Sequence, residues 1–461
     1  MPPQSVPQSF MRNLEIVEAL AMRPATNADE VARNLNDIYG RAANARFSDH
    51  DVAAIREVAP EIMYRLFDLR IRLRARIAEF ERDGYMTPEV IQGLRNCFRI
   101  LRYASDMLGE IAVGHERVPA GGALHRGFTG KNTNTLINAT YYNGRDIAFK
   151  SGDVVLVRGH AHNSAAIARI GDIDSQFSHI GMIHIDEGGQ AWMVEALIED
   201  GAILTPLADA LEHGIVRAVL YRHRDTELAA RASRSMFDTV LQSRSRFARR
   251  IHYDFTMRLD DRRPMFCAKL VRNAFLMGSG GAVKLPSYPT HIVMKNRDFL
   301  DRIGVKTDET FAPADIDLEP RFDLVAEWQD YRETSNIRLQ DFTMDKVFEW
   351  METYDMRFQE TFAIRLVSWL GRFSAHFSDG AKKALEGLFP RVPINMKRKT
   401  VAAVAMLHRT AEPIYHELQD REAQCIAESG RPMHGNEIFA ELERIRGEAG
   451  GGIGYLVSAK G

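Results

Sequence analysis

The chain has 461 residues, room for two to four domains of about 100–200 residues each and for a core that needs no covalent staples. Its 60 basic residues are offset by 62 acidic ones, for a formal net charge of −2, so nucleic acid is not expected as the main partner. Cys97, Cys267 and Cys425 are odd in number and far apart, which argues against a disulfide framework or a CxxC metal site and for a reducing compartment.

The first ten residues, MPPQSVPQSF, are rich in Pro, Gln and Ser and are expected to be disordered. They lack the basic-then-apolar pattern of a secretory signal, and no run of about 18 apolar residues exists to span a membrane. A cytoplasmic location is expected, with specialised export as a bacterial effector the alternative. Residues 1–113 form a helical N-terminal region. Within it, Thr87-Pro88-Glu89 reads as a cap with proline at the first helical position, and Ile91, Leu94, Phe98, Leu101 and Leu108 recur at helical spacing. Cys97 lies beside that stripe and reads as a small buried hydrophobe.

Residues 114–145 are rich in Gly, Asn and Thr and are expected to be a linker or loop. From 146 to 322 the texture changes to short apolar runs: GDVVLVRG (152–159), SHIGMIHI (178–185), AWMVEALI (191–198) and VRAVLYRH (216–223). These read as strands, the second and third joined by a hairpin turn at Asp186-Glu187-Gly188-Gly189. Helical patterns follow after 225 and again in MFCAKLVRNAFLM (265–277). A helical C-terminal region is expected over 323–446, with Val347, Trp350, Tyr354 and Phe358 on one stripe, and a flexible Gly-rich tail over 447–461. The charge run MKRKT (396–400) reads as a solvated face or cap.

Alternation of side chains along a strand puts His179, Gly181 and Ile183 on one face and His184 on the other. Paired as a hairpin, the two strands bring Glu195 near His179, where a carboxylate fixes the ring's tautomer and favours the imidazolium. An unpaired carboxylate in an apolar strand would be costly to bury, so Glu195 needs such a partner. Cys267 falls near a helix start marked by Pro264, where backbone N–H groups and the helix dipole favour a thiolate and can bind an oxyanion. Cysteine, histidine and glutamate thus supply the types needed for nucleophile, base and orienter. A lone cysteine or histidine in such a setting is far more often structural, and only the combination points to chemistry. His160 and His162 alternate on one strand face, but no Cys, Asp or Glu lies at a helpful spacing, so no metal site and no cofactor are expected. His291, in PSYPTHIV, is a rival base without a strand-and-glycine context.

The series Gly152-Asp153, Ser178-His179-Ile180-Gly181, Val194-Glu195-Ala196, Thr205-Pro206-Leu207, Tyr253-Asp254-Phe255 and Phe266-Cys267-Ala268-Lys269-Leu270-Val271 resembles the NlpC-type papain-like cysteine hydrolases in rotated order. With the His strand before the Cys helix, it is similar to the circularly permuted, YiiX/YebB-like branch, over about residues 150–290. The resemblance implies an α+β fold, an antiparallel sheet packed on the cysteine helix, with helical regions on either side. It implies Cys267 as nucleophile, His179 as general base, Glu195 as orienter of the histidine, the N–H of Cys267 in the oxyanion hole and Tyr253 in support. Ser178, Gly181 and Lys269 are expected at the substrate or supporting it, Gly181 by leaving room for the cysteine helix or the substrate. Phe266 before the cysteine and Ala268-Lys269 after it depart from the family's pattern.

The expected activity is hydrolysis of an amide (peptide, isopeptide or peptidoglycan stem) or ester bond through an acyl-enzyme. The alternatives are an acyltransferase or a lipid or thioester hydrolase using the same three residues, and an inert interaction protein that binds a partner through its helical flanks.

Overall fold

The computed structural model describes residues 6–46, 52–113, 124–126, 134–142, 147–172, 174–212, 215–246, 249–294, 297–374 and 392–458. At its centre lies an antiparallel sheet in the order β1-β2-β10-β7-β3-β4-β5-β6. The strands are β1 (Leu124–Arg126), β2 (Asn134–Ile137), β3 (Val154–Gly159), β4 (His179–Ile185), β5 (Ala191–Leu197), β6 (Gly201–Pro206), β7 (Ile215–His223) and β10 (Phe322–Gln329). The four runs read as strands from sequence are β3, β4, β5 and β7. The β4–β5 turn closes as expected: Asp186 N–H donates to the Gln190 carbonyl, and the Asp186 carboxylate accepts from the N–H groups of Gly188 and Gln190.

Central strands are covered on both faces, which is why they read as near-continuous apolar runs. One face, with Ile180, Met182, Val194 and Ala196, packs against α7 (Thr226–Arg244) and α8 (Cys267–Gly278). The other, with Val155, Val157, Ile183, Met193 and Trp328, lies under Leu207 and Leu211 of a short helix, α6 (Leu207–Glu212).

The N-terminal helices α1 (Val6–Met22), α2 (Ala28–Ala43), α3 (Val52–Arg82) and α4 (Pro88–Val113) share an apolar core that includes Leu35, Leu94, Cys97 and Phe98. Cys97 is fully buried, its thiol bonded to the Leu35 carbonyl and pushed up by burial. On the other side, a short helix α9 (Asp298–Ile303), α10 (Tyr331–Thr353), a long helix α12 (Arg398–Ser429) and α13 (Gly435–Glu448) build a third core around Phe299, Val347, Trp350, Met406 and Leu442.

These regions are joined by buried ion pairs. Arg70 of α3 meets Glu327 of β10, Arg217 of β7 meets Asp106 of α4, and Arg158 of β3 meets Asp341 of α10 at 2.7 Å. Arg338 of α10 holds Glu110 of α4 at 2.8 Å and Glu422 of α12 at 2.5 Å. Burial pushes the Asp106 carboxyl up to about 7 against the pull of Arg217. Removing one member of such a pair strands a charge in the interior, at a cost of about 3–5 kcal/mol. The helical flanks are therefore built into the same body as the sheet.

Several expected boundaries shift. The stretch 114–145 contributes β1 and β2 to the sheet, β2 pairing with β10. Residues 323–329, placed at the start of the C-terminal helical region, belong with Phe322 to β10: Leu324, Val325, Ala326 and Trp328 are all buried, so no alternation marks them as a strand. The expected disordered start already belongs to α1 from Val6, while residues 1–5 lie outside the described residues. The Gly-rich tail folds as a hairpin, β12 (Gly452–Ile453) and β13 (Leu456–Ser458), with β13 paired to β11 (Met356–Phe358). There Gly454, at φ +58°, lies so close to Thr410 that a Cβ would meet its Cα at 2.8 Å. The glycines serve tight turns and close packing. Pro264 precedes α8 without belonging to it.

Candidate active site

His179 is the first residue of β4, so its ring stands at the margin of the sheet. Strands β4 and β5 pair with Met182 opposite Val194, and continuing that register puts Glu195 diagonal to His179 on the same face. There His179 Nε2 donates to Glu195 Oε2 at 2.7 Å. The other carboxylate oxygen, Oε1, accepts from Thr205 Oγ1 at 2.6 Å. Thr205 comes from β6, opposite Met193 of β5. Glu195 is thus buried but bonded on both oxygens, which meets the cost of placing a carboxylate in an apolar strand.

Cys267 is the first residue of α8, after an extended Phe266 (φ −100°, ψ 171°). The first helical bond runs from Leu270 N–H to the Phe266 carbonyl, so the N–H groups of Cys267, Ala268 and Lys269 precede the ladder and carry the positive end of the helix dipole. The run-up to this helix is clamped: Met265 N–H donates to the His252 carbonyl and Asp254 N–H to the Met265 carbonyl, each at 3.1 Å. Cys267 is 6% exposed, and the His179 side chain 20%.

The structure brings His179 against both the Cys267 thiol and Glu195. Burial disfavours the imidazolium, but hydrogen bonds to Cys267 and Glu195 outweigh it and push the ring up to about 10. Because Nε2 is committed to Glu195, Nδ1 is the nitrogen left for sulfur. Thiol, imidazole, carboxylate and hydroxyl thus form one chain of contacts drawn from α8, β4, β5 and β6. Such a chain can pass a proton between sulfur and imidazole while the carboxylate holds the ring.

Tyr253 is buried beside Cys267. Its hydroxyl is pushed well above the usual tyrosine range by burial and by the negative charge that Cys267 carries when ionised. Its ring packs on Phe255 at 5.2 Å between centroids. Its carbonyl accepts from Asn395 Nδ2 at 2.7 Å, and Val392, Met396 and Val401 pack against Phe255 and against Ile198, just past β5. A segment from beyond residue 390 therefore lines the rim of the site. No sequence signal marked it, because its partners lie more than a hundred positions away. Thr205 stood within a quoted motif, but its bond to Glu195 depends on the β5–β6 register.

Other expected positions land elsewhere. Lys269 is fully buried, its ammonium held by Asp254 at 2.8 Å and by Asp261. It ties the loop 254–261 to α8 and is not placed to meet a substrate. Its position two residues past the cysteine turns it inward. Ser178 is buried, with its N–H bonded to the Val157 carbonyl at 3.0 Å and its hydroxyl turned to the same oxygen. The room that Gly181 leaves is taken by Met193: an added Cβ would lie 2.4 Å from its sulfur. Cross-strand neighbours on one face compete for the same space, so the gap serves β5 and not the cysteine helix or a substrate.

His184 points away, its Nδ1 3.2 Å from the Ser233 hydroxyl and its ring on Phe237. His291 is exposed on a two-residue strand, β8 (Thr290–His291), paired with β9 (Glu309–Thr310), and lies 3.5 Å from Glu309. His160 and His162 do not share a strand face: β3 ends at Gly159, and His162 opens a short helix, α5 (His162–Ala168), with its ring against His408 and Tyr415. Among the described residues no group of three or more His, Cys, Asp or Glu is arranged to hold a metal ion. No helix among them is long and apolar enough to cross a membrane.

Comparison with protein families matches residues 148–326 to the permuted papain-like amidase enzymes of the YaeF/YiiX, C92 family. The matched segment contains His179, Glu195, Thr205 and Cys267 and runs from just before β3 into β10. Comparisons with curated proteins and with solved structures gave no match.

Proposed function

We propose that this chain, whose residues 148–326 form a permuted papain-like amidase domain and which is thereby an enzyme of the cysteine-hydrolase kind, cleaves an amide bond through an acyl-enzyme on Cys267. The observation that carries the reading is the placement of one imidazole between a thiol at a helix N-terminus and a buried carboxylate.

In this reading the Cys267 sulfur attacks the amide carbon, forming the S–C bond and a tetrahedral oxyanion. The N–H of Cys267, at the positive end of α8, stabilises that oxygen. His179 gives its proton to the departing nitrogen as the C–N bond breaks, which leaves a thioester and a neutral imidazole. Water then adds to the thioester carbon, its proton passing to His179. The C–S bond breaks, the carboxylic acid leaves, and the thiolate–imidazolium pair is restored. Glu195 holds the ring's orientation and supports its charge, and Thr205 holds Glu195. The family's amidase character favours a peptide, isopeptide or peptidoglycan stem as substrate.

The test is labelling by acyl probes with amide, ester and thioester leaving groups, comparing wild type with Cys267→Ala and His179→Ala. Labelling confined to wild type, with the amide probe turned over, supports the reading. Equal labelling of wild type and Cys267→Ala would refute it.

A further inference from the structure

The helix α11 (Phe362–Ser374) leaves large apolar side chains in solvent: Phe362 is 82% exposed, Leu366 50% and Trp369 58%. Their spacing of four and three residues puts all of them on one face. Ile364 and Ser368, on the other side, are buried, and Ser368 accepts from Arg398 of α12. A contiguous apolar face of this kind is uncommon on a water-exposed surface and marks an interaction site.

Basic residues dominate the adjoining described segments. Residues 362–374 and 392–401 hold five Lys and Arg (Arg365, Arg372, Lys397, Arg398, Lys399) and no Asp or Glu, in a chain whose net charge is −2. Arg365 is 66% exposed, and Lys397 and Lys399 are exposed. One carboxylate, Glu360, is engaged by Arg398 and faces Arg365 at 3.8 Å, while Lys397 and Lys399 stand exposed at the start of α12.

We propose that α11 is an interfacial helix that docks on an anionic lipid bilayer, with Phe362, Leu366 and Trp369 in the headgroup–acyl boundary and the cations against lipid phosphates. A short amphipathic helix with an aromatic apolar face and basic flanks fits that surface through both burial and charge. An acidic protein groove would be matched by the cations but not by an apolar stripe led by a phenylalanine standing almost wholly in water.

Docking would also place the site. Arg398 ties α11 to the start of α12, and the residues just before it, Val392, Asn395 and Met396, contact Ile198, Phe255 and the Tyr253 carbonyl at the rim. A docked α11 holds that rim beside the membrane surface. The proposal does not depend on which bond the enzyme cleaves.

The test is flotation of the full chain with phosphatidylcholine vesicles and with vesicles containing about 30 mol% phosphatidylglycerol. Binding to the anionic vesicles is expected to exceed binding to neutral ones by at least ~10-fold, to weaken with salt, and to fall at least ~10-fold in Phe362→Ser/Leu366→Ser/Trp369→Ser. As a second readout, emission of the wild type should shift to the blue on anionic vesicles, and that of Trp369→Phe should not. Absence of vesicle binding, or binding equal in wild type and triple variant, overturns the proposal. So does light scattering that shows a dimer dissociated by the triple variant with no vesicle binding, which would assign the face to a second copy.

Discussion

The hydrogen bond from His179 to Glu195 couples the ring to a buried carboxylate, and Glu195→Gln tests it by removing charge while keeping shape. A hydrogen bond to a charged group contributes about 1.5–3 kcal/mol, and one pH unit corresponds to about 1.4 kcal/mol. The substitution should therefore lower the ring by about 1–2 units from its value of about 10. The sign follows from the raised value. The imidazolium is present at neutral pH and is lost as pH rises through about 10 in the wild type, and through roughly 8–9 in the variant. Any stability that the ring's charge adds to the fold is likewise complete below 6.5 and gone above about 10. The assay is alkylation of Cys267 by iodoacetamide across about pH 5–11, read by peptide mass spectrometry in a Cys425→Ser background. Cys97, fully buried, serves as an internal unreactive reference. The wild-type profile should show an upper inflection near 10 that moves down in the variant. An upper inflection that stays in place would refute the coupling of sulfur, ring and carboxylate.

Thr205→Val removes the second bond to Glu195 and should lower kcat/KM about 3- to 10-fold through kcat, with KM unmoved, in steady-state kinetics on the turned-over amide probe. Lys269→Met strands the buried Asp254 carboxylate and should cost about 3–5 kcal/mol in denaturant melts. An unchanged melt with altered substrate preference would instead return Lys269 to the substrate. Gly181→Ala should cost about 1–3 kcal/mol by forcing Met193 aside, and adding Met193→Ala should recover most of it, since a Cβ would otherwise meet the Met193 sulfur at 2.4 Å. A fragment of residues 146–329 should fail to give a dispersed NMR spectrum, because Arg158 and Arg217 lose Asp341 and Asp106. A folded fragment would show that those pairs are dispensable.

The residues of the candidate site were more legible in the sequence than the boundaries around them. A carboxylate in an apolar strand is costly to bury alone, and its combination with a histidine strand and a cysteine near a helix start drew attention that no single residue would have. The Cys267 helix start was read from the apolar pattern and from Pro264 just before it. By contrast, nothing in the sequence marks Arg70, Arg158 and Arg217 as buried, since arginine defaults to solvent and the carboxylates that justify their burial lie far off in the chain. Lys269 misled for the same reason. β10 was missed because a strand covered on both faces loses its period of two, and the tail because glycines that make tight turns look, in a sequence, like glycines that make none.

Arg338 and Glu110 are 228 positions apart, yet they meet in the interior, with Glu422 later still in the chain. At a synthesis rate of about 5–20 residues per second, Glu110 emerges on the order of 10–50 s before its partner. A nascent chain that has already presented His179 and Cys267 must therefore wait for the last long helix before its interior charges are neutralised and its cleft wall is complete.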